Sequence, residues 1–309
     1  MPTKPPRLDI LLATYNGAAY LPTQLDSLRA QSLTNWHIWA RDDGSQDETV
    51  RILDQFALQF PDKLTRISDS YGNVGIKENF NLLQQHSTAP YIFFCDQDDR
   101  WSENKLAHCL DVLLQAEADF GPTTPLLVHT DLAVVDRELT PLASSFWQYQ
   151  HLNPQCKTLN RLLVQNNITG CALLTNRTLL QLAYPVPPAA IMHDWWLGLT
   201  AAALGNIIFS PLATVHYRQH GGNDTGAKHW SVAYIVQKWR SPYDITPTRQ
   251  QAEAFYARFH RKLTAAQQRI LQAYITLPES SWLQKRLTLW RYGLLKQGLL
   301  RNLGFFWNL

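Results

Sequence analysis

Cysteine is scarce in this chain of 309 residues: Cys95, Cys109, Cys156 and Cys171 are the four, and no two form a C-x-x-C pair. That spacing suggests neither a zinc site nor a disulfide framework, so all four are expected as reduced core residues. Long hydrophobic runs are missing too. No segment approaches the roughly 18 to 20 uncharged apolar residues of a membrane-spanning helix. The N-terminal "MPTKPPRLDILLATYNG" interrupts its apolar run at Thr14 and Asn16, without the charged and apolar regions of a signal peptide. The expected location is the cytoplasm. The first strand turn lacks G-x-G-x-x-G, and G-x-x-x-x-G-K-[ST] occurs nowhere, which disfavours a dehydrogenase.

What is present is apolar mass and an uneven charge. A hydrophobic fraction of 45% over this length suffices for one large domain or two smaller ones. The net charge of +3 conceals an asymmetry, because residues 231–309 hold 12 Lys and Arg against 3 Asp and Glu. An acidic body is joined to a basic tail. Such a tail suits nucleic acid or anionic lipid, but the body shows no nucleic-acid recognition motif, and no nucleic-acid partner is expected.

Short apolar runs alternate with helical periodicity through the first third. "LDILLAT" (8–14) and "WHIWARDD" (36–43) flank a segment in which Leu21, Leu25 and Leu28 recur at helical spacing. "DETVRILDQFALQF" carries acidic residues in its first turn and stops before Pro61, as the helix dipole and proline chemistry favour. "TRISDS" (65–70), "NVGIKENFNLLQQH" (73–86) and "YIFFC" (91–95) continue the pattern. The repetition predicts an α/β fold, Rossmann-like, with a mainly parallel sheet, helices on both faces and ligands at the carboxyl ends of the strands. The expected division is 1–125 and 126–230 as two halves of one domain, and 231–309 as a basic, aromatic, mostly helical extension.

Three polar strand ends carry the chemistry. "YIFFCDQDDRW" passes abruptly from an apolar strand into Asp96, Asp98 and Asp99. In an extended chain Asp96 and Asp98 would point to one side, and paired hard carboxylates suit Mg²⁺ or Mn²⁺ bridged to a diphosphate. The competing reading is an acidic loop capping the next helix through Ser102 and Glu103. "ARDDGSQD" closes the second strand with Asp42 and Asp43 before Gly44, and "TYNG" follows the first; each alone reads as a turn. Three such ends on one parallel sheet would converge on one crevice.

"ILLATYNGAAYLPTQLDSLRAQS", "ARDDGSQDET", "GNVGIKENFN" and "YIFFCDQDDRWSENKL" resemble, in order and spacing, the signatures of glycosyltransferase family 2, inverting enzymes of the GT-A fold. The resemblance covers roughly residues 7–230. It implies a nucleotide-sugar donor whose base is held by Tyr15 and Asp43, with Thr14, Asn16, Lys77 and Arg218 as further donor-binding residues. It also implies a divalent metal held by Asp96, Asp98 and His220, Asp96 lying near the ribose or the metal. "MHDWWLGLTAAALG", "YRQHGGNDTGAK" and "VHTDLAVVDREL" are similar, more narrowly, to bacterial rhamnosyltransferases of cell-wall polysaccharide or O-antigen synthesis. They imply dTDP-L-rhamnose as donor and a lipid-linked or oligosaccharide acceptor.

Transfer to a hydroxyl needs a general base, and Asp194, expected to be walled by Trp195 and Trp196, is the candidate, the family's base falling at this position. The competing reading makes Asp194 an ordinary helix cap. Asp131 is the second candidate. His216, Arg218, His220 and Lys228 among glycines suit a lid over the diphosphate. In the tail, Leu283, Leu287, Trp290 and Leu294 stand at helical spacing with Lys285, Arg286, Arg291, Lys296 and Arg301 between them. Peripheral membrane contact and packing on the enzyme itself are both open readings.

Overall fold

The structure, a computed structural model, describes residues 7–221 and 244–309. Lys228 of the expected lid lies outside the described residues. Four strands, β1 (Leu8–Thr14), β2 (Trp36–Asp42), β3 (Leu64–Ile67) and β4 (Tyr91–Cys95), pair in parallel. The helices α1 (Leu21–Arg29), α2 (Thr49–Gln59) and α3 (Ile76–His86) connect them in turn. The registers align the carboxyl ends: Thr14 lies opposite Asp42, and Leu12 opposite Cys95. The polar turns expected to converge therefore leave the sheet along one edge.

The period-two alternation of β1 builds two layers. Leu11 and Ala13 join Phe80 and Leu83 of α3 in one core, while Leu8, Ile10 and Leu12 join Leu21, Leu25 and Leu28 of α1 in the other. The second layer also takes Leu106, Leu110 and Leu113 of α4 (Lys105–Phe120).

The second half completes a nine-stranded sheet. Beyond β4, β5 (Arg100–Trp101), β6 (Leu126–Val135), β7 (Pro141–Ala143), β8 (Leu173–Asn176) and β9 (Asn206–Arg218) give the order β3-β2-β1-β4-β8-β6-β9-β5, with β7 on β6. Here the sheet is mixed: β8 runs antiparallel to both β4 and β6, and β9 is parallel to β6. A four-residue strand such as "LLTN" carries no directional signal, so chain direction in this half was not readable from periodicity. Asn176 fixes the corner, its side-chain oxygen accepting from Leu126 N at 3.0 Å and Leu179 N at 3.1 Å.

Four more helices follow in this half: α5 (Phe146–Tyr149), α6 (Leu159–Val164), α7 (Arg177–Ala183) and α8 (His193–Leu204). The C-terminal helices Thr246–Phe259, Ala265–Ile275, Trp282–Arg291 and Leu299–Asn308 then cover one face. Ala252, Phe255, Leu271, Leu289 and Phe305 belong to the same core as α6 and α8, so the described part of the extension shares a core with the body. No helix among the described residues is long and apolar enough to cross a membrane.

Candidate functional site

At the carboxyl edge the strand ends surround a cavity of about 340 Å³. Thr14 and Tyr15 line it from β1, Asp43 from β2, and Asp96, Gln97 and Asp98 from β4. Thr169, Gly170, Met192, His193 and Asp194 close the opposite wall.

Each strand end is held by hydrogen bonds that explain its sequence. Asp42 builds its turn, accepting from Thr14 Oγ1 at 2.9 Å, Ser45 Oγ at 2.6 Å and Ser45 N at 2.8 Å. Asp43, 3% exposed, accepts from Val74 N at 2.9 Å and Gly75 N at 2.8 Å, so its carboxylate pins the loop before α3. Arg41 lies beneath, 1% exposed, donating to Asp43 at 2.9 Å and to Asp69 at 2.7 and 3.0 Å. Asn16 takes a positive φ of 47° while its N–H and side chain bond Ser45 and Gln46; it lies outside the cavity lining. Gln97 forms a reciprocal amide pair with Tyr15, donating to its carbonyl at 2.7 Å and accepting its N–H at 2.8 Å. A Cβ on Gly17 would sit 2.0 Å from the Gln97 side-chain oxygen, so any larger residue there would displace the Gln97 amide from Tyr15.

The acidic stretch differs from the sequence reading in its geometry. The strand stops at Cys95 and the chain bends at Gln97 and Asp98, so strand alternation does not apply beyond Cys95. Ligand atoms of Asp96, Asp99 and Cys171 come within 4.8 Å of one another instead. Asp98 turns to His220, whose Nε2 lies 2.7 Å from its Oδ2. The His220 ring stacks on Tyr20 with centroids 4.5 Å apart. Arg218, 5% exposed, donates through Nε to the Asp98 carbonyl at 2.7 Å and through its own N–H to Asp99 at 3.1 Å. It braces the acidic bend from beneath. Burial, together with the neighbouring Asp98, pushes the fully buried Asp99 carboxyl up to about 7.

Lys77, expected among the donor-binding residues, is turned away from the cavity. Its ammonium donates to the carbonyls of Pro188 and Ala190, each at 2.6 Å, and it is absent from the cavity lining, so it ties α3 to the loop before α8.

On the opposite wall Asp194 is 8% exposed, and burial pushes its carboxyl up to about 7 against hydrogen bonds from Trp195 N, Asn166 and Gly170 that act the other way. The indoles expected to wall it point elsewhere. Trp195 Nε1 donates to Leu162 O at 2.6 Å, and Trp196 is buried among Phe255 and Phe259 with its Nε1 on Ala183 O at 3.0 Å. Successive helical residues diverge by about 100°, so neighbours of Asp194 in sequence are not its neighbours in space. Met192 holds the N-cap position of α8, and Asp194 sits inside the first turn. His193, 4% exposed, lies between Phe80 and Phe94 at 4.2 and 5.1 Å, and burial lowers it to about 3, so it is neutral. Gly170 makes this wall possible, since a Cβ there would meet His193 Nε2 at 2.9 Å.

Asp131 does not reach the cavity. It accepts from Leu132 N at 2.8 Å, Trp147 N at 3.2 Å and the Ser145 hydroxyl, which fastens α5 to β6. Arg41, Gln97 and Gly170 are the contributors that sequence reasoning missed. Only Arg41 left a signal, a charge near the end of an otherwise mostly apolar strand.

A Rossmann-like parallel half joined to a mixed half has counterparts among solved structures. S. aureus TarS in complex with UDP-GlcNAc matches with a TM-score of 0.57 at 14% identity, over 94% of this chain and 93% of that one. The mannosyltransferase PcManGT from Pyrobaculum calidifontis, in complex with GDP-Man and Mn²⁺, matches at 0.54 and 17%, over 93% and 74%. The fold is GT-A. The family model for glycosyl transferase family 2 matches residues 9–175, and the chain belongs to that family. Among its relatives are an uncharacterized glycosyltransferase of Nostoc sp., 26% identical over 82% of this chain and 76% of that protein. A dTDP-rhamnosyl transferase, RfbG, of Shigella flexneri is 24% identical over 74% and 80%.

Proposed function

We propose that the chain transfers a sugar, with inversion, from a nucleotide diphosphate donor to a hydroxyl acceptor, with Asp194 as general base. The observation that carries this reading is that Asp194, buried and of raised proton affinity, lines the same cavity as Asp96 and Asp98. In the proposed step the acceptor O–H gives its proton to Asp194 as its oxygen bonds to the sugar C1. The C1–O bond to the diphosphate breaks, and the nucleoside diphosphate leaves with that electron pair.

Asp96, Asp98 and His220 offer hard carboxylate oxygens and an imidazole, a donor set that fits Mg²⁺ or Mn²⁺. A bound divalent ion supplies positive charge to the diphosphate as it departs. Tyr15, half exposed at the cavity mouth, and Asp43 are proposed to hold the base. Asp43 Oδ2 accepts from Gly75, and its remaining acceptor capacity suits an imide N–H such as that of thymine or uracil. Thr14 is proposed to act through the Asp42 turn, and Arg218 through the backbone of Asp98.

dTDP-L-rhamnose is the proposed donor, on the likeness to RfbG and the imide preference. The acceptor is proposed to be a lipid-linked or polysaccharide hydroxyl of a cell-wall or O-antigen pathway, and the setting the cytoplasm. The test is a donor panel of dTDP-rhamnose, UDP-glucose, UDP-galactose, UDP-N-acetylglucosamine and GDP-mannose, scored by calorimetric binding with Mn²⁺ and by slow hydrolysis. dTDP-rhamnose should bind and hydrolyse best. Preference for another member would overturn the donor, and absence of metal-dependent binding across the panel would overturn the reading itself.

A further inference from the structure

The chain has sixteen large hydrophobic side chains exposed among its described residues, and eight of them fall between Trp282 and Trp307. Chance does not place half of such residues in so short a segment. On the helix Trp282–Arg291, Trp282, Leu283, Leu287 and Trp290 are 56–77% exposed; on Leu299–Asn308, Leu299, Leu300, Leu303 and Trp307 are 49–81% exposed. Both helices are already held from within. Leu289, Leu294 and Phe305, each at most 1% exposed, lie in the core, and Asn160 bonds the carbonyls of Tyr292 and Gly293 at 3.0 and 3.1 Å. A helix docked only on its own protein turns polar residues outward, whereas these are apolar on the inner and the outer side.

The two helices lie against each other and make one surface. Lys285 Nζ donates to Leu309 O at 3.1 Å and Arg286 to Trp307 O at 3.3 Å, and the Arg286 guanidinium sits 4.3 Å from the Trp282 ring. Charge on this part of the chain is overwhelmingly positive: from residue 261 to 309 there are eight Lys and Arg and a single acid, Glu279. At ten residues each, the helices are about 15 Å long, half the thickness of a bilayer core. They can lie on a membrane but not cross it.

We propose that this helix pair seats the enzyme on an anionic lipid bilayer, with the indoles at headgroup depth and the cations toward lipid phosphates. A second copy of the chain is the poorer occupant, because a two-fold contact would bring like charges together. The inference stands on the exposed face alone and does not depend on the donor.

The experiment uses the full chain with vesicles of phosphatidylcholine alone or enriched in phosphatidylglycerol, read by co-sedimentation. Wild type should sediment with the anionic vesicles and be released by salt. The combined Trp282→Ser, Trp290→Ser and Trp307→Ser variant should lose on the order of 10²-fold in partitioning, and Arg291→Gln about fivefold. Leu58→Ser, 85% exposed on a distant helix, should change nothing. Should the triple variant melt early, Trp307→Ser, in the last turn of the chain, takes its place. Wild type that ignores anionic vesicles, or tryptophan variants that sediment as well as wild type, would overturn the proposal. So would a wild-type dimer, seen by light scattering, that these substitutions dissociate. Donor hydrolysis should persist in every variant, so failure here and failure of the transfer reading remain distinguishable.

Discussion

Asp194→Asn separates the proposed base from a structural carboxyl through one substitution read in two ways. A buried carboxyl raised from 3.8 to about 7 is stabilising in its neutral form. Its contribution is complete below the unfolded value and is lost as pH rises through the folded one. The shift of about 3 pH units corresponds to roughly 4 kcal/mol against the ionised state, of which about 3 kcal/mol develops between pH 5 and pH 8. Asparagine does not titrate. Its amide should keep the Trp195 N–H contact, now 2.6 Å, while turning an NH₂ toward other donors at about 1–3 kcal/mol. Relative to wild type the variant should therefore gain about 3 kcal/mol from pH 5 to pH 8, a swing in melting temperature on the order of 5–10 °C. Over the same range wild-type transfer should rise toward a plateau above about pH 7, while the variant stays lower by roughly 10² to 10⁴-fold with donor affinity almost unchanged. Differential scanning calorimetry and a transfer assay on one preparation measure both. Parallel melting curves at the two pH values would refute the buried, proton-loving carboxyl. Transfer near the wild-type rate would refute the base.

Three other substitutions probe the opposite wall and the floor. Asp98→Asn, which keeps an oxygen for His220, should leave the fold intact and abolish metal-dependent donor binding by calorimetry; unchanged affinity would remove Asp98 from the metal. Gly170→Ala forces a methyl to 2.9 Å from a His193 ring held between two phenylalanines. Stability should fall by about 1–3 kcal/mol and transfer by roughly 10²-fold through displacement of Asp194, with donor binding retained; an unimpaired rate would show that the wall yields. Arg41→Met leaves the buried Asp43 carboxylate without its cation and frees the exposed Asp69, so urea unfolding should report a loss of about 3–5 kcal/mol, and donor affinity should fall as the Asp43 loop loosens.

How much of this was legible in the sequence depends on the range of the interaction. Apolar alternation in "LDILLAT" and the turns after it are local, and the parallel register that aligns Thr14 with Asp42 follows once the strands are adjacent. Hence the first half of the fold and its edge of polar turns could be read directly. Lys77 could not, because its carbonyl partners stand 111 and 113 positions away. Trp195 and Trp196 misled for the converse reason: adjacency in sequence is divergence on a helix, and the environment of Asp194 comes from Asn166 and Gly170. The acidic bend shows the same limit within four residues, since alternation holds only while the strand lasts, and it stops at Cys95. The tail is the instructive case. Leu283, Leu287, Trp290 and Leu294 form one stripe on a helical wheel, yet Leu294 is buried and the other three are exposed. The helix ends at Arg291, and the turn through Gly293, with its φ of 60°, carries Leu294 inward. A single glycine thus converts what reads as one buried stripe into an inner contact and an outer apolar face, and only the outer face is available to anything beyond the protein.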